Sequence, residues 1–359
     1  MRLFSKPVII VYITVLFSCE NNVESPVPDP LNDSEHPNWT IPKGDIIYRG
    51  DENDFIPSID NPSLIFASHA DSMSDDDMII GIQIDGDFRA YPVSILNYHE
   101  IVNDNFTARE LMISYCPLTG TSAAWNRGNL NGFSSKFGLS KYNYNSNHIL
   151  YDHISNSYWL PMVFGCVNGD YEGYEPDSYP LIETTWKNWK NMFPASRVIT
   201  TNIKSGFNYK INPYSAYMNN DSIYFKTNPI DNRLPLKEKV HGIVVGDRAK
   251  VYPQNLFSDS TSLIMDNFQG LSVVVIGSKL NNFIISYERR LPDGPELNFI
   301  ATNVAPNIVM EDTEGNKYDI FGWIIDGPKK GQSLLPTKSM TGYWFSLASI
   351  YPDPIIYLK

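Results

Sequence analysis

The chain has 359 residues, of which 42% are hydrophobic, so it can bury a sizeable core in two domains or in one large two-lobed domain. Its formal net charge is −12 at pH 7. This charge excludes nucleic acid as a partner, because binding to phosphates needs clustered lysine and arginine side chains.

The N-terminus has the pattern of a lipoprotein signal. An apolar run at residues 7–17 is too short to span a bilayer and is typical of a signal-peptide core. It leads into Leu16-Phe17-Ser18-Cys19, which resembles a bacterial lipoprotein cleavage box. We therefore predict that residues 1–19 are a lipoprotein signal peptide and that Cys19 becomes the lipidated first residue. An ordinary secretory signal with an incidental cysteine is the alternative.

A lipid on Cys19 would anchor the protein in a membrane of the cell envelope, at the outer membrane or the periplasmic face. Residues 20–45 are rich in proline and asparagine and cannot bury a core, so we expect a flexible tether there. No later apolar run approaches the length of about 18 residues that a transmembrane helix needs.

From residue 46 onward the local signals are mostly those of β-structure. Residues 78–84 and 88–93 flank Asp85-Gly86-Asp87, a turn sequence that predicts a hairpin. Residues 97–103 are predicted as a short helical turn, and 111–115 as an apolar strand. Apolar residues recur at helical spacing before a terminating proline near residues 185–193 and again near 343–350. The pattern predicts a β-rich α+β fold.

The sequence contains an internal repeat. Residues 81–92 match 242–253, Asp104-Asn-Phe matches Asp266-Asn-Phe, and Arg127 falls on Arg289 at the same offset. Because the matched blocks keep their order and spacing, we predict two pseudo-equivalent lobes from an internal duplication. The first lobe would cover residues 46–205 and carry the site, and the second, at 206–359, would be a degenerate repeat.

Comparing the two copies of one scaffold distinguishes packing residues from site residues. Residues needed for folding should appear in both copies, whereas residues needed for chemistry can be lost from the copy that has no function. Residues of the first copy that change character in the second are His99 (Thr261), Glu100 (Ser262) and Cys116 (Ser278). Asp152 falls on Glu311 and is ambiguous, because a retained carboxylate can brace a turn in both lobes. His148 and His153, aligned with Asn307 and Asp312, rank only as possible extra ligands. Cys166 aligns with Trp323 and is predicted to be a packing thiol, although pairing with Cys116 stays open.

Three motifs carry a family resemblance. They are His99-Glu-Ile-Val-Asn-Asp104, Tyr115-Cys-Pro-Leu-Thr-Gly120, and Tyr151-Asp followed by Trp159. In this order they resemble the bacterial domain of unknown function 3179 family, from about Ile46 to the C-terminus. The family's usual Cys-Pro-Leu-Cys-Gly has Thr119 here, so a Cys-x-x-Cys redox or metal pair cannot form within this motif. The resemblance implies no activity.

Three functions remain open on the residues alone. The first is a soft-metal site for copper or zinc, held by Cys116, His99 and either a carboxylate such as Asp152 or another histidine. The second is a Cys116 nucleophile for acyl or thiol transfer, activated by His99 and oriented by Glu100 or Asp104. The third is a module for envelope glycans or peptides, suggested by the aromatic residues in 142–147 and at Trp186 and Trp189. The sequence does not identify the small-molecule or envelope ligand.

Overall fold

The computed structural model describes residues 38–50, 52–130, 132–200 and 206–358. From Asn38 onward the chain forms one compact unit. Within these described ranges, no helix is both long enough and apolar enough to cross a membrane. Cys19 and residues 1–37 lie outside the described residues, so the signal peptide and lipid anchor stay predictions.

The first half of the fold contains fourteen strands among the described residues. They are β1 (Ile46–Tyr48), β2 (Ile59–Asp60), β3 (Leu64–Phe66), β4 (Met78–Ile84), β5 (Asp87–Pro92), β6 (Ile101–Asn105), β7 (Glu110–Cys116), β8 (Thr121–Asn126), β9 (Phe137–Tyr144), β10 (Asn147–Asp152), β11 (Tyr158–Leu160), β12 (Gly165–Asn168), β13 (Ile182–Thr185) and β14 (Arg197–Ile199). We call these the first strand set.

The second strand set holds the remaining strands. They are β15 (Lys239–Val245), β16 (Arg248–Pro253), β17 (Ser262–Phe268), β18 (Leu271–Ser278), β19 (Phe283–Glu288), β20 (Phe299–Ala301), β21 (Met310–Asp312), β22 (Lys317–Tyr318), β23 (Ile324–Asp326), β24 (Ser339–Tyr343) and β25 (Ile355–Ile356). The α-helices are α1 (Val93–His99), α2 (Trp186–Met192), α3 (Ser215–Met218) and α4 (Trp344–Ile350), and the 3-10 turns are Lys43–Asp45, Ala67–His69, Pro161–Val163 and Gln254–Leu256.

The strands form six small sheets in a propeller-like arrangement, which confirms the β-rich prediction. The first strand set has the orders β13-β4-β5-β14-β3, β2-β6-β7-β8 and β1-β9-β10-β11-β12. The second has β24-β15-β16-β25, β17-β18-β19 and β20-β21-β22-β23. Both sets thus contain the same three sheet types. Even the mixed pairing recurs, since β14 runs parallel to β5 and β25 runs parallel to β16.

Buried polar contacts also recur between the two sets. The Tyr91 hydroxyl donates to Asp104 at 2.6 Å, and the Tyr252 hydroxyl donates to Asp266 at 2.9 Å. Arg89 forms a 2.7 Å ion pair with Asp104, where Lys250 does the same for Asp266. These groups brace equivalent hairpins, so their reappearance reflects packing.

In each strand set, a glycine without a side chain allows the C-terminal helix to pack closely against the sheet. A Cβ on Gly81 would lie 2.1 Å from the Trp189 ring, and a Cβ on Gly242 would lie 2.3 Å from Leu347. Trp186 and Trp189 are fully buried, and Tyr142 and Tyr144, the two aromatic residues at 142–147, are also buried. The aromatic surface that suggested a glycan or peptide module is therefore core, and that motivation is wrong.

The hairpin predicted around Asp85-Gly86 is present as β4 and β5, with both turn residues at positive φ. The helical turn predicted at 97–103 is misplaced, because α1 already begins after Pro92 and ends at His99. At the N-terminal end, Trp39 stacks on Tyr158 and the Thr40 amide donates to Val167. Packed structure therefore begins before residue 46, within the stretch predicted as tether.

Candidate functional site

The end of helix α1 separates two neighbouring side chains. His99 is the last helical residue, and Glu100 follows it in the left-handed conformation with φ of 55°. The Glu100 amide closes the helix on Leu96 at 2.8 Å, and the Glu100 carbonyl accepts from the Tyr115 amide at 2.8 Å. This reversal is costly for a residue other than glycine. It turns the Glu100 side chain away from the direction that His99 takes.

His99 is held by both ring nitrogens and is 2% exposed. Nδ1 lies 2.9 Å from the Pro57 carbonyl, so it carries the proton, and Nε2 accepts from the Tyr209 hydroxyl at 2.7 Å. Burial lowers the pKa of His99, against the opposing effect of the Pro57 carbonyl. A ring with both nitrogens occupied can neither take a proton from a thiol nor bind a metal without losing a partner. His99 is therefore a positioning residue of the fold.

Cys116 ends β7 and lines a cavity of about 300 Å³, which we call the thiol cavity. Its side chain is buried, and Sγ lies 3.8 Å from the Ser146 carbonyl. Burial raises the pKa of Cys116 to about 11, the charge of Glu100 adds to the rise, and hydrogen bonds from Thr119 and the His148 amide oppose it. The resting group at neutral pH is the thiol, so it needs a base before it can act as a nucleophile.

A second titratable side chain, His148 on β10, lines the same thiol cavity. Its Nδ1 lies 2.8 Å from Oε2 of Glu100, and both side chains are buried. Within the described residues, Nε2 has no hydrogen-bond partner although it is shielded from solvent. A carboxylate at Nδ1 fixes the tautomer that leaves the Nε2 lone pair available. Glu100, His148 and Cys116 all line this one cavity, whereas His99 does not.

Aromatic residues close the thiol cavity from the segment that joins the two strand sets. Tyr214, Tyr224 and Phe225 line it, and Tyr214 hydrogen-bonds Glu100. Burial, followed by the charges of Glu100 and Cys116, raises the pKa of Tyr214 far above its ordinary value. The hydroxyl therefore stays protonated and gives Glu100 a second partner.

The other predicted carboxylates lie elsewhere. Asp104 is committed to Tyr91 and Arg89, and is repeated as Asp266 in the second strand set. Asp152 accepts from the Ser155 amide at 2.7 Å and the Trp159 indole at 3.1 Å, which braces a turn.

The carboxylate that plays this bracing part in the second set is Asp312, which accepts from the Glu314 amide at 2.9 Å and the Tyr318 hydroxyl at 2.6 Å. The alignment of Asp152 with Glu311 is therefore one residue out. Because Asp104 and Asp152 are structural, the predicted combinations of these carboxylates with His99 and Cys116 do not assemble. Within the described part of the chain, no three His, Cys, Asp or Glu side chains are grouped to hold a metal ion.

The second strand set lacks this chemistry at the equivalent positions. Cys116 pairs with Thr121 at the end of β7, and Ser278 pairs with Phe283 at the end of β18. The Ser278 hydroxyl donates a hydrogen bond to the Asp259 carbonyl at 2.7 Å. The hairpin β20–β21, which corresponds to β9–β10, contains no histidine.

A family model described as "Protein of unknown function (DUF3179)" matches residues 53–354. The chain belongs to this family. No curated protein and no solved structure matches the chain. The DUF3179 region contains both strand sets except β1 and β25, and nearly the whole lining of the thiol cavity. Thr119, where the family resemblance leads us to expect a second cysteine, is fully buried, with its hydroxyl 2.9 Å from that of Thr121. Both Cys116 and Cys166 are free thiols.

Within this DUF3179 chain, the sequence singled out Cys116 and Glu100 for the cavity but ranked His148 too low. His148 was ranked only as a possible extra ligand because it lies outside the family motifs. The signal that could have found it was already present, since the corresponding stretch of the second half, residues 299–312, contains no histidine. Tyr214 carried no comparable signal, because the segment containing it has no counterpart within either copy.

Proposed function

We propose that the protein is an enzyme of acyl or thiol transfer in which Cys116 is the nucleophile, His148 the base and Glu100 the carboxylate that orients the base. One observation carries this proposal. Glu100 holds Nδ1 of His148 at 2.8 Å while Nε2 stays without a partner in the cavity that Cys116 lines. The role first assigned to His99 passes to His148.

The proton balance follows from these three groups. As Sγ of Cys116 bonds to an acyl carbon or a sulfur of the substrate, its proton moves to Nε2 of His148. Glu100 then faces an imidazolium at Nδ1 and stabilises its charge. The same proton passes from Nε2 to the leaving group as its bond to the acyl carbon or sulfur breaks. In the second half, water or a thiol attacks the acyl carbon, or a thiol attacks the mixed disulfide, and gives its proton to Nε2. The bond to Sγ then breaks, and that proton returns to Cys116. Because the pKa of the Cys116 thiol is about 11, the thiol has to give its proton to a base before it can react as a nucleophile near neutral pH.

The walls of the thiol cavity restrict the substrate. A space of about 300 Å³ lies at the lower end of the usual range for small-molecule pockets. Phe55, Tyr214, Tyr224 and Phe225 make much of its lining aromatic. We therefore expect the transferred group to be small and largely apolar.

Soft-metal binding is the second candidate, and the same two atoms favour it. Sγ of Cys116 and Nε2 of His148 are a thiolate and an imidazole donor, a pair that suits copper or zinc. It ranks second because, among the described residues, no three His, Cys, Asp or Glu side chains are grouped to hold a metal ion, and Glu100 is already bonded to Nδ1 of His148. Stoichiometric copper or zinc on the purified protein, lost in Cys116→Ser, would move it to first place.

The test of the enzyme proposal is the alkylation rate of each cysteine with iodoacetamide, followed by peptide mass spectrometry. Near neutral pH, Cys116 should react faster than Cys166, whose pKa burial raises to about 12. His148→Gln and Glu100→Gln should each slow Cys116 by about tenfold or more, because the thiol loses its oriented base. The matched control is His153→Gln, since His153 is also paired with a carboxylate, Asp54 at 3.2 Å, but lies outside the cavity.

Two results would contradict the assignment of His148 as the base. One is an equal alkylation rate for Cys116 and Cys166, and the other is an alkylation rate of Cys116 that does not change in His148→Gln. Metal analysis of the same samples separates the two candidates. Metal-free protein with fast, His148-dependent alkylation supports the enzyme.

We further infer that the two strand sets arose by internal duplication, with residues 46–205 and 206–359 as its two parts. Their matching strand orders and recurring Tyr–Asp contacts support this inference. We also propose that the protein is a cell-envelope lipoprotein anchored through Cys19. The Leu-Phe-Ser-Cys ending of the apolar run supports the anchor.

A further inference from the structure

A second cavity of about 290 Å³ lies where the two strand sets meet, and we call it the hydroxyl cavity. Strand β8 of the first set lines it through Ala124, and strands β19 and β24 of the second set line it through Ser286 and Thr341. None of Cys116, Glu100 and His148 lines this cavity. It is therefore a separate space, and the proposed function makes no use of it.

A chain of buried polar groups runs along one wall of the hydroxyl cavity. His241 lies at its centre, with Nε2 2.7 Å from the Ser286 hydroxyl and Nδ1 3.0 Å from the Thr341 hydroxyl. Ser286 in turn lies 2.5 Å from the Thr337 hydroxyl, and Ser339 joins the group at 3.0 Å from Thr337. Hydroxyl groups both donate and accept, so this wall can adapt to either kind of partner.

The polar wall belongs to the second strand set alone. His241 pairs with Thr341 across β15 and β24, and the first set has Ile80 paired with Glu183 in the same register. Ser286 stands three residues into β19, where β8 has Ala124. Packing of the shared scaffold therefore does not require a histidine or a hydroxyl group at these positions, since the first set has Ile80, Glu183 and Ala124 there.

The charged groups of the lining cancel one another. Lys338 pairs with Glu175 at 2.7 Å, and Glu183 pairs with Lys239 at 2.6 Å. A lining with every charge paired favours a ligand without net charge, because a charged ligand would have to break one of these pairs or go without a counterion.

Apolar surface completes the hydroxyl cavity. Trp125, Phe164 and Tyr179 line it together with three prolines. The indole N–H of Trp125 is buried and has no hydrogen-bond partner within the described residues. The rings and prolines give this side of the cavity a face against which the C–H groups of a ligand can pack.

We propose that the hydroxyl cavity binds a neutral, polyhydroxylated ligand of monosaccharide size. Such a ligand has hydroxyls around its edge for Ser286, Thr337 and Thr341, and a face of C–H groups for the apolar wall. It needs no counterion, in keeping with the paired charges of the lining. Neither nitrogen of His241 bonds a carboxylate, which distinguishes this histidine from His148 and makes the cavity a binding site rather than a second catalytic one.

The proposal is tested by saturation-transfer NMR on the full chain with D-glucose, D-galactose, D-mannose and N-acetyl-D-glucosamine as probes. At least one sugar should give a saturable signal in the millimolar range. Thr341→Val, which keeps the side-chain shape, should weaken that binding about three- to tenfold, the usual effect of one lost hydrogen bond. Ser286→Ala should act in the same direction and serves if Thr341→Val does not fold.

Two controls keep the outcome specific. Thr107→Val makes the same chemical change at an exposed threonine and should leave the affinity unchanged. Cys116→Ser should also leave sugar binding unchanged, which separates this site from the thiol cavity. No saturable binding by any of the four sugars overturns the proposal, and so does binding that Thr341→Val and Ser286→Ala both leave intact.

Discussion

Two buried histidines in this protein have opposite electrostatic surroundings. His148 faces the Glu100 carboxylate, whereas His241 contacts only hydroxyl groups. An imidazolium in the first place has a counterion, and an imidazolium in the second has none. Burial accordingly lowers the pKa of His241 to about 3. The same residue type thus lies beside a counterion in one cavity and in a neutral hydrogen-bond network in the other.

His241 should make the protein acid-sensitive. The unfolded chain binds a proton on this residue below about pH 6.5 and the folded chain does not until about pH 3, so stability falls as the pH drops between them. The loss contributed by His241 is about 1.4 kcal/mol per pH unit within that window. Urea unfolding at several pH values should show a shallower decline in His241→Gln.

The control for this prediction is His69→Gln, at an exposed histidine, which should follow the wild-type profile. An unchanged acid slope in His241→Gln would show that other groups dominate the pH dependence.

At the scale of single elements, the two sets offer matched positions with unlike neighbours. Gly81 meets the rigid ring of Trp189, and Gly242 meets the end of the flexible Leu347 side chain. A leucine can rotate away from an added methyl group more easily than a buried tryptophan can. The equivalent helices α2 and α4 therefore tolerate change in their strands to different degrees.

Gly81→Ala should destabilise the protein more than Gly242→Ala. Overpacking costs about 1–3 kcal/mol, and we expect Gly81→Ala at the upper end and Gly242→Ala at the lower end. Gly44→Ala is the control, because nothing lies within 4 Å of its added Cβ. Denaturant unfolding gives the three free energies, and equal losses at residues 81 and 242 would contradict the packing argument.

Local chemistry explains what the sequence could and could not predict about these elements. Asp85-Gly86 fixes a hairpin by its own backbone preferences, and Cys116 was correctly placed at a strand end. The end of α1 was missed because Glu100 takes a conformation usually reserved for glycine or asparagine. His148 lines the same cavity as Cys116 only through the tertiary packing of hairpin β9–β10, a long-range relation that no short motif encodes.

On the scale of the whole molecule, the segment joining the two sets covers the thiol cavity. Tyr217 donates to the Leu118 carbonyl at 2.7 Å, and the Ser146 hydroxyl donates to the Phe225 carbonyl at 3.1 Å. This segment has no matched block in the first half of the sequence, so no internal comparison could assign it a role. Its contribution to the cavity follows from tertiary packing alone.

The predicted lipid anchor also concerns the whole molecule. Cys19→Ala should shift the protein from the membrane fraction to the soluble fraction, because the variant lacks the residue that carries the lipid. Fractionation followed by immunoblotting measures the shift, with Cys166→Ala as the control. Continued membrane association of Cys19→Ala would contradict the anchor.

The left-handed turn at Glu100 places two incompatible demands on one position. Its backbone favours glycine or asparagine, and the partner of His148 must be a carboxylate. No single residue satisfies both demands, so selection for thermal stability alone would replace Glu100 and sacrifice the site. A chain evolved in the laboratory for heat resistance, without any demand for activity, should therefore lose this carboxylate early.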